Sequence, residues 1–182
     1  MTGELDGIRD LLAARIATIH DHPKPGIVFR DITPVLADPL SLAAAVDGLT
    51  ALTRELGVQR VIAAEARGFL LGPALARELD AGFILARKPG RLPRETVSVA
   101  YALEYGEDRL EAHADLLEPG TRVLVHDDLL ATGGTAGALC SLVEALGGVV
   151  VGCSFLVELD ALGGRERLAG HDVRTLLRYT DA

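Results

Sequence analysis

Asp127 and Asp128 stand side by side at the end of the apolar, β-branched run Arg122-Val123-Leu124-Val125-His126, and Leu129-Leu130-Ala131-Thr132-Gly133-Gly134-Thr135 follows them. A short apolar run of this kind predicts a buried strand of a parallel sheet. The small-residue turn from Ala131 to Thr135 leads into a helical pattern. It places Ala136, Leu139, Cys140, Val143 and Leu146 on one face and stops at Gly147-Gly148. A strand, a turn of small residues and a helix N-terminus together make an anion site, because backbone N–H groups point outward and the helix dipole favours negative charge. Two carboxylates beside such a site repel a bare polyphosphate. They accept hydrogen bonds from vicinal hydroxyls, so the string suits a sugar phosphate. An isolated acid pair or glycine pair is only a helix cap and a flexible turn; the specific signal is the whole string.

An anion site calls for cations, and four are placed to supply them: Arg67, Arg87, Lys88 and Arg91. Arg67, in Glu65-Ala66-Arg67-Gly68-Phe69, falls at a helix start, where the dipole disfavours a cation. An anion bound at the same place accounts for it; the bland alternative is a surface pair with Glu65. Arg87-Lys88-Pro89-Gly90-Arg91 is a solvated turn when taken alone and a pyrophosphate clamp when set beside a phosphate site. Phe29 is one of four phenylalanines in a chain without tryptophan. A lone aromatic is ordinarily core, but Gly26-Ile27-Val28-Phe29-Arg30-Asp31 is irregular and bracketed by prolines, which leaves backbone groups free. Edge hydrogen bonds plus an aromatic face are what a purine needs.

Elements at regular intervals must position these groups. Leu5, Ile8, Leu11, Leu12, Ile16 and Ile19 recur at helical spacing, which predicts an amphipathic helix over the first twenty residues, with His20 and His22 solvated at its end. Residues 27–34 are expected to run extended. A second helix is expected over Ser41 to Leu56, with Ser41 as its cap. Strands are predicted at Val58 to Ala64, Phe83 to Ala86, Val149 to Val157 and Val173 to Leu177, with a helix running through Leu79. Strands alternating with helices predict an α/β fold whose ligands sit at the carboxyl ends of the strands. The turns after Ala64, Ala86 and His126 all fall at such ends. Between Pro89 and Asp115, Val97, Val99, Tyr101, Leu103 and Tyr105 alternate with polar or small residues, and Gly106-Glu107-Asp108 predicts a hairpin turn. That hairpin is either an edge of the sheet or a lid over the site.

The totals bound the rest. A chain of 182 residues, 49% apolar and 24% charged, predicts one soluble domain with a sizeable core. A formal charge of -8 argues against a nucleic-acid binder, whose footprint would be basic. Cys140 and Cys153 lie in apolar settings outside any CxxC or Cys/His cluster, so buried free thiols are expected. With no signal segment and no long apolar span, a cytoplasmic location and no membrane partner are expected. Neither GxGxxG nor GxxxxGK[ST] occurs, which disfavours a plain dinucleotide domain.

Two acids followed by Ala-Thr-Gly-Gly-Thr resemble the phosphoribosyl-pyrophosphate signature of the type I phosphoribosyltransferases. The likeness sharpens with Pro25-Gly26, Phe29-Arg30-Asp31-Ile32-Thr33-Pro34, Glu65 to Phe69, Arg87-Lys88-Pro89-Gly90-Arg91-Leu92-Pro93 and Leu103-Glu104-Tyr105-Gly106. In that order they resemble the adenine phosphoribosyltransferase family from about Ile16 to Leu177. The resemblance implies a mostly parallel central sheet flanked by helices, in one domain over residues 1–182. An N-terminal helix and base-binding hood would occupy residues 1–34, and a flexible hairpin lid residues 88–115. It implies that adenine and phosphoribosyl pyrophosphate become AMP and pyrophosphate with Mg²⁺, in a homodimer. No protein ligand for the metal is expected, since the ion would ride on substrate oxygens and water.

By position, Ala131, Thr132, Gly133, Gly134 and Thr135 would hold the 5′-phosphate, and Asp127 and Asp128 the ribose hydroxyls. Arg67 and Lys88 would sit on the pyrophosphate, with Arg87 and Arg91 nearby. Phe29 and Leu129 would sandwich adenine, and the backbone of Val28 and Arg30 would read its edge. Glu104 and Tyr105 would lie on the lid, Glu104 handling the adenine N9 proton. Two positions depart from the family pattern: Arg91, where lysine is more usual, and His126, where an apolar residue usually precedes the acids. A buried His126 should be neutral and hydrogen-bonded, outside the catalytic set. Two rival readings keep the same domain: a non-catalytic sensor of phosphoribosyl pyrophosphate, and a transferase for another base.

Overall fold

The computed structural model describes residues 2–102 and 107–180. Leu5, Ile8 and Leu12 carry helix α1 (Thr2–Arg15) against the core, and Leu12 has no exposed surface. The helix ends sooner than its apolar spacing predicts. Ala17–His20 forms strand β1, which pairs antiparallel with β2 (Val28–Asp31), so His20 belongs to a strand and not to a helix end. The apolar positions around Ile16 and Ile19 fit a helical period, but cross-strand pairing overrides local pattern here.

Thr33–Ala37 is a short helix, α2, where a continued extended run was expected. Pro34 falls in its first turn, where a missing N–H is tolerated. Helix α3 (Pro39–Thr53) is capped by Asp38 and not by Ser41: the Ser41 amide donates to Asp38 Oδ2 at 2.9 Å and its hydroxyl at 2.6 Å. A carboxylate both accepts these bonds and suits the positive end of the helix. A 3₁₀ turn, Arg54–Leu56, completes the segment.

The sheet follows. Its elements are β3 (Arg60–Ala64), a 3₁₀ turn Arg67–Phe69, α4 (Gly72–Glu78), β4 (Gly82–Ala86), the hairpin strands β5 (Thr96–Ala102) and β6 (Glu107–His113), β7 (Arg122–Leu130), α5 (Gly134–Ala145), β8 (Val149–Leu159), α6 (Gly164–Arg167) and β9 (Val173–Tyr179). The turn expected over Glu65 to Gly68 is thus a 3₁₀ turn at Arg67–Phe69, and the helix expected to follow it through Leu79 is α4. Glu107 and Asp108, expected in a turn, pair with Ala102 and Tyr101 in β5–β6. The turn itself, with Leu103 and Tyr105, lies outside the described residues.

Five strands in the order β4-β3-β7-β8-β9, every pair parallel, make the central sheet. This is the α/β architecture the sequence predicts. Helices α1 to α4 cover one face, where Leu12, Leu49, Leu75, Leu124 and Leu156 pack together. Helix α5 and the β5–β6 hairpin cover the other, with Leu110, Val125, Leu139, Leu142 and Phe155. Because both faces are covered, β8 is apolar almost throughout, and β7 runs apolar from Val123 to Val125 before its polar segment from His126 to Asp128. Each fully buried leucine stabilises the fold by roughly 1.5–3 kcal/mol.

The strand order also locates the site. From β3 the chain crosses by α4, on one face, to β4; from β7 it crosses by α5, on the other face, to β8. The two crossovers leave adjacent strands in opposite directions, and a crevice opens between the carboxyl ends of β3 and β7. Open parallel sheets bind ligands at this switch point.

Candidate active site

The end of β7 supplies the acids. Asp128 is 3% exposed, and its Oδ2 accepts from Arg67 Nε at 2.7 Å and Nη2 at 2.6 Å. Arg67 comes from the 3₁₀ turn after β3 and keeps 45% of its side chain in solvent. Gly68 allows that turn to approach: a Cβ there would stand 2.9 Å from the Ala63 Cβ and 3.3 Å from Asp127 Oδ1. The Asp128 amide donates to Asp127 Oδ1 at 2.9 Å. Burial and the neighbouring Asp128 charge push the Asp127 carboxyl up to about 8.

Beyond the acids, Ala131 to Gly133 turn into α5. Gly133 adopts φ +77, which a side chain disfavours, and its carbonyl accepts from the Gly137 amide at 2.9 Å. An open cavity is lined by this turn with Asp127, Leu129 and Thr135. A second is lined by Glu65, Arg67 and both acids, and it shares Asp127, Leu129 and Thr135 with the first. The two adjoin at Asp127. An anion in the turn and a charged group beside Arg67 would therefore flank the carboxylates.

The remaining cations are organised by Glu65. Its Oε2 accepts from Arg87 Nη2 at 2.8 Å and Nε at 3.0 Å, and its Oε1 from the Lys88 amide at 2.7 Å. The Lys88 amide, with the Arg87 guanidinium, holds the Glu65 carboxyl below the usual range. Glu65 therefore pairs with Arg87, and Arg67 is left to Asp128. The Arg91 carbonyl accepts from Arg87 Nη1 at 3.3 Å, closing the turn, and Arg91 itself is exposed. Lys88 Nζ lies 3.4 Å from Asp108 Oδ2, and the Tyr101 hydroxyl donates to the same oxygen at 3.3 Å. Sequence reasoning gave no site role to Glu65, Tyr101 or Asp108. The one local trace was a carboxylate two residues before Arg67.

The β1–β2 ribbon brings Phe29 to this end of the sheet. Arg67 Cζ lies 5.7 Å from its ring centroid, and His22 meets the ring edge-to-face at 5.3 Å. Val28 and Arg30 have the same parity in β2, so their backbone groups address one edge of the ribbon. The Arg30 side chain is buried, donates to Thr18 Oγ1 at 2.5 Å and stacks 4.0 Å over the Tyr179 ring.

A phosphoribosyl transferase domain model matches residues 41–179, which include every element of the sheet and both cavities. The chain belongs to the phosphoribosyltransferase family. An adenine phosphoribosyltransferase of Rubrobacter xylanophilus is 61% identical to it over 168 residues, 92% of this chain and 91% of that one. An adenine phosphoribosyltransferase structure from Thermoanaerobacter pseudethanolicus superposes with a TM-score of 0.90 at 46% identity, covering 94% of this chain and 99% of that one. The adenine phosphoribosyltransferase of Saccharomyces cerevisiae, crystallised with adenine and an imino-altritol bisphosphate, gives a TM-score of 0.90 at 34% identity, covering 94% and 99%.

Among phosphoribosyltransferase features expected from the sequence, the structure brings together Arg67, Asp127, Asp128, Leu129 and the turn from Ala131 to Thr135. Phe29 lies close by, and Lys88 faces the hairpin. Glu104 and Tyr105 lie outside the described residues. His126 has no exposed surface; its Nδ1 meets Ser154 Oγ at 3.0 Å, and burial pushes its pKa down to about 4. It is neutral at pH 7 and is engaged with Ser154 of β8. Among the described residues no three His, Cys, Asp or Glu side chains converge as an all-protein metal cage does, and no helix is long and apolar enough to cross a membrane.

Proposed function

We propose that the chain transfers the 5-phosphoribosyl group of phosphoribosyl pyrophosphate to N9 of adenine, giving AMP and pyrophosphate. The observation that carries this reading is the Arg67–Asp128 contact in one cavity that adjoins, at Asp127, Leu129 and Thr135, a second walled by the Ala131–Gly134 turn. That layout supports a phosphate in the turn, a ribose diol on the carboxylates and a second anion on the far side of Arg67. The similarity to adenine phosphoribosyltransferases supports the choice of base.

In this reading, backbone N–H groups of residues 131–135 hold the 5′-phosphate and Asp127 and Asp128 accept from the ribose hydroxyls. Arg67 contacts only Oδ2 of Asp128, so Oδ1 remains for a hydroxyl. Nη1 of Arg67 stands outside that contact and suits the pyrophosphate, as does Lys88 once drawn from Asp108. Adenine stacks on Phe29 and Leu129 while the Val28 and Arg30 backbone reads its edge. N9 attacks C1, the C1–O bond breaks with its electron pair leaving on pyrophosphate, and Glu104 takes the N9 proton. Fixed charges aimed at the departing pyrophosphate and the oxocarbenium-like ring do most of the work. Arg87 and Arg91 reinforce the positive side, and Tyr105 closes with the 88–115 hairpin to exclude water.

The donor set fits Mg²⁺ held by substrate oxygens and by water on Asp127 and Asp128. When bound, it neutralises charge on the pyrophosphate. A homodimer in the cytoplasm completes the proposal: Leu40, Leu70 and Leu85 are exposed large apolar residues of the kind a second copy covers, and Cys140 and Cys153 are free thiols. Incubation with phosphoribosyl pyrophosphate, Mg²⁺ and each base in turn should yield nucleotide with adenine alone. Tight binding of the pyrophosphate without turnover of any base would replace the transferase by a sensor.

A further inference from the structure

We infer that Gly164, held by an Arg165–Glu158 ion pair, is a positioning element for the 5′-phosphate turn. The inference rests on the transferase reading above. Gly164 begins α6, after β8, and lies 30 residues beyond the phosphate turn in sequence, yet its backbone is the wall against which that turn is built. A Cβ on Gly164 would be driven into the Ala131 carbonyl oxygen and would stand 2.8 Å from Leu130 Cδ1. The contact is reciprocal: a Cβ on Gly133 would stand 2.7 Å from the Gly164 carbonyl oxygen. Two glycines abut, one on each side, and no side chain separates them. The phosphate turn is thus open to solvent on one side and seated on the other against the Gly164 backbone, with the Arg167 Cβ beside it at 3.3 Å from a Cβ placed on Gly133.

What holds Gly164 in place is the residue after it. Arg165 donates from Nε to Glu158 Oε1 at 2.8 Å and from Nη2 to Oε2 at 2.6 Å, and from Nη1 to the Val173 carbonyl at 2.9 Å. All three nitrogens are therefore engaged by β8 and β9. Glu158 is 2% exposed at the end of an otherwise apolar strand, and the Thr175 hydroxyl also donates to it at 3.0 Å. Arg178 Nε lies 3.6 Å from the same oxygen. A carboxylate buried there is costly unless paired, and a two-toothed arginine contact is directional where lysine would not be. Glu158 pairs with Leu130 across β7–β8, one residue before the phosphate turn begins. The pair therefore ties α6 to the same rung of the sheet from which the turn departs.

None of these three residues lines the two cavities. Their effect must pass through the position of residues 131–133. Displacing a phosphate cradle by a fraction of an ångström weakens every amide contact to the phosphate and misaligns C1, while Phe29 and the Val28 and Arg30 backbone stay in place on the β1–β2 ribbon.

The test measures ribose 5-phosphate and adenine binding by calorimetry, and steady-state KM and kcat, for wild type, Gly164→Ala, Arg165→Met and Arg165→Lys, with circular dichroism as the control for folding. The expected result for folded Gly164→Ala is a loss of ribose 5-phosphate affinity on the order of tenfold or more. The KM for phosphoribosyl pyrophosphate should rise with it, while adenine affinity stays at the wild-type value. Arg165→Met should show a smaller loss of the same selectivity, and Arg165→Lys should not restore it. Arg165→Met leaves the backbone unobstructed, so it decides the matter if Gly164→Ala does not fold. Wild-type ribose 5-phosphate affinity in the folded variants overturns the inference, as does an equal loss for adenine. A wild-type protein that binds neither ligand overturns the transferase reading instead.

Discussion

Arg67 and Asp128, 61 residues apart in the chain, meet through two contacts to one carboxylate oxygen, at 2.6 and 2.7 Å, with the acid buried and the base half in water. The asymmetry matters. Solvent can take over the role of Asp128 for Arg67, whereas a ribose hydroxyl bound in the crevice loses an acceptor fixed in place by burial. The contact also orients the guanidinium so that its remaining nitrogen serves a second anion.

Asp128→Ala is therefore expected to lower kcat by on the order of 10² or more, since the lost group is aimed at the reacting sugar. Stability should change little: Arg67 rehydrates, and the neighbouring Asp127 is relieved of a like charge. Steady-state kinetics with a parallel melting curve check both halves. Retained turnover would remove Asp128 from the reaction.

Phe29→Ala should raise the adenine KM by about ten- to a hundredfold, because stacking on an aromatic face contributes about 1–3 kcal/mol per base. The affinity for ribose 5-phosphate should be unaffected, because the ring lies on the β1–β2 ribbon and outside the phosphate turn. A uniform loss for both ligands would mean that Phe29 supports the fold and not the base.

The acid pair and the turn after it were legible because their chemistry is local: strand, carboxylates, small residues and helix start are consecutive. The partners were not. Arg67 finds Asp128 and Arg87 finds Glu65 only because β3 lies between β4 and β7, and strand order leaves no trace in neighbouring residues. Strand β1 was hidden because Ile16 and Ile19 suit a helical period until β2 claims the backbone. Glu158 did leave a signal, a lone acid at the end of an apolar strand. Its meaning required knowing that α6 folds back to place Arg165 against it.

Cys140 and Cys153 face each other across α5 and β8 as free thiols whose sulfurs share a hydrogen bond at 3.7 Å. The shared contact pushes the Cys153 thiol up and the Cys140 thiol down, and burial of both side chains shuts out a reagent from either. Native protein should react negligibly with a thiol-specific reagent over minutes, and both sulfurs should react at once in denaturant. Rapid modification of native protein would show that the core opens at α5.

Asp127 sets a pH dependence of stability. Its carboxyl titrates near 8 in the folded chain and about 4 in the unfolded one, so the folded state holds the extra proton. Stability from this group is complete below about pH 4 and is lost as pH rises through about 8. Ligand-free wild type should melt at progressively lower temperature between about pH 6.5 and 8.5, and Asp127→Asn should be flat over that range. Parallel curves for the two proteins would refute the assignment.

His126 acts with the opposite sign. Buried without exposed surface beside Ser154, it titrates near 4 in the folded chain and near 6.5 when unfolded. The unfolded chain binds the proton first, so its contribution is complete above about pH 6.5 and is lost as pH falls through 4. A shift of this size corresponds to roughly 3 kcal/mol. Between pH 4 and 6.5 it opposes the trend from Asp127, and above that range Asp127 acts alone, which separates the two. Urea unfolding of wild type and His126→Phe at about pH 4.5 and 7 provides the measurement. Wild type should lose more stability on acidification than the variant, whatever the absolute cost of leaving Ser154 without its partner. An identical loss in both would place the titrating proton on another residue.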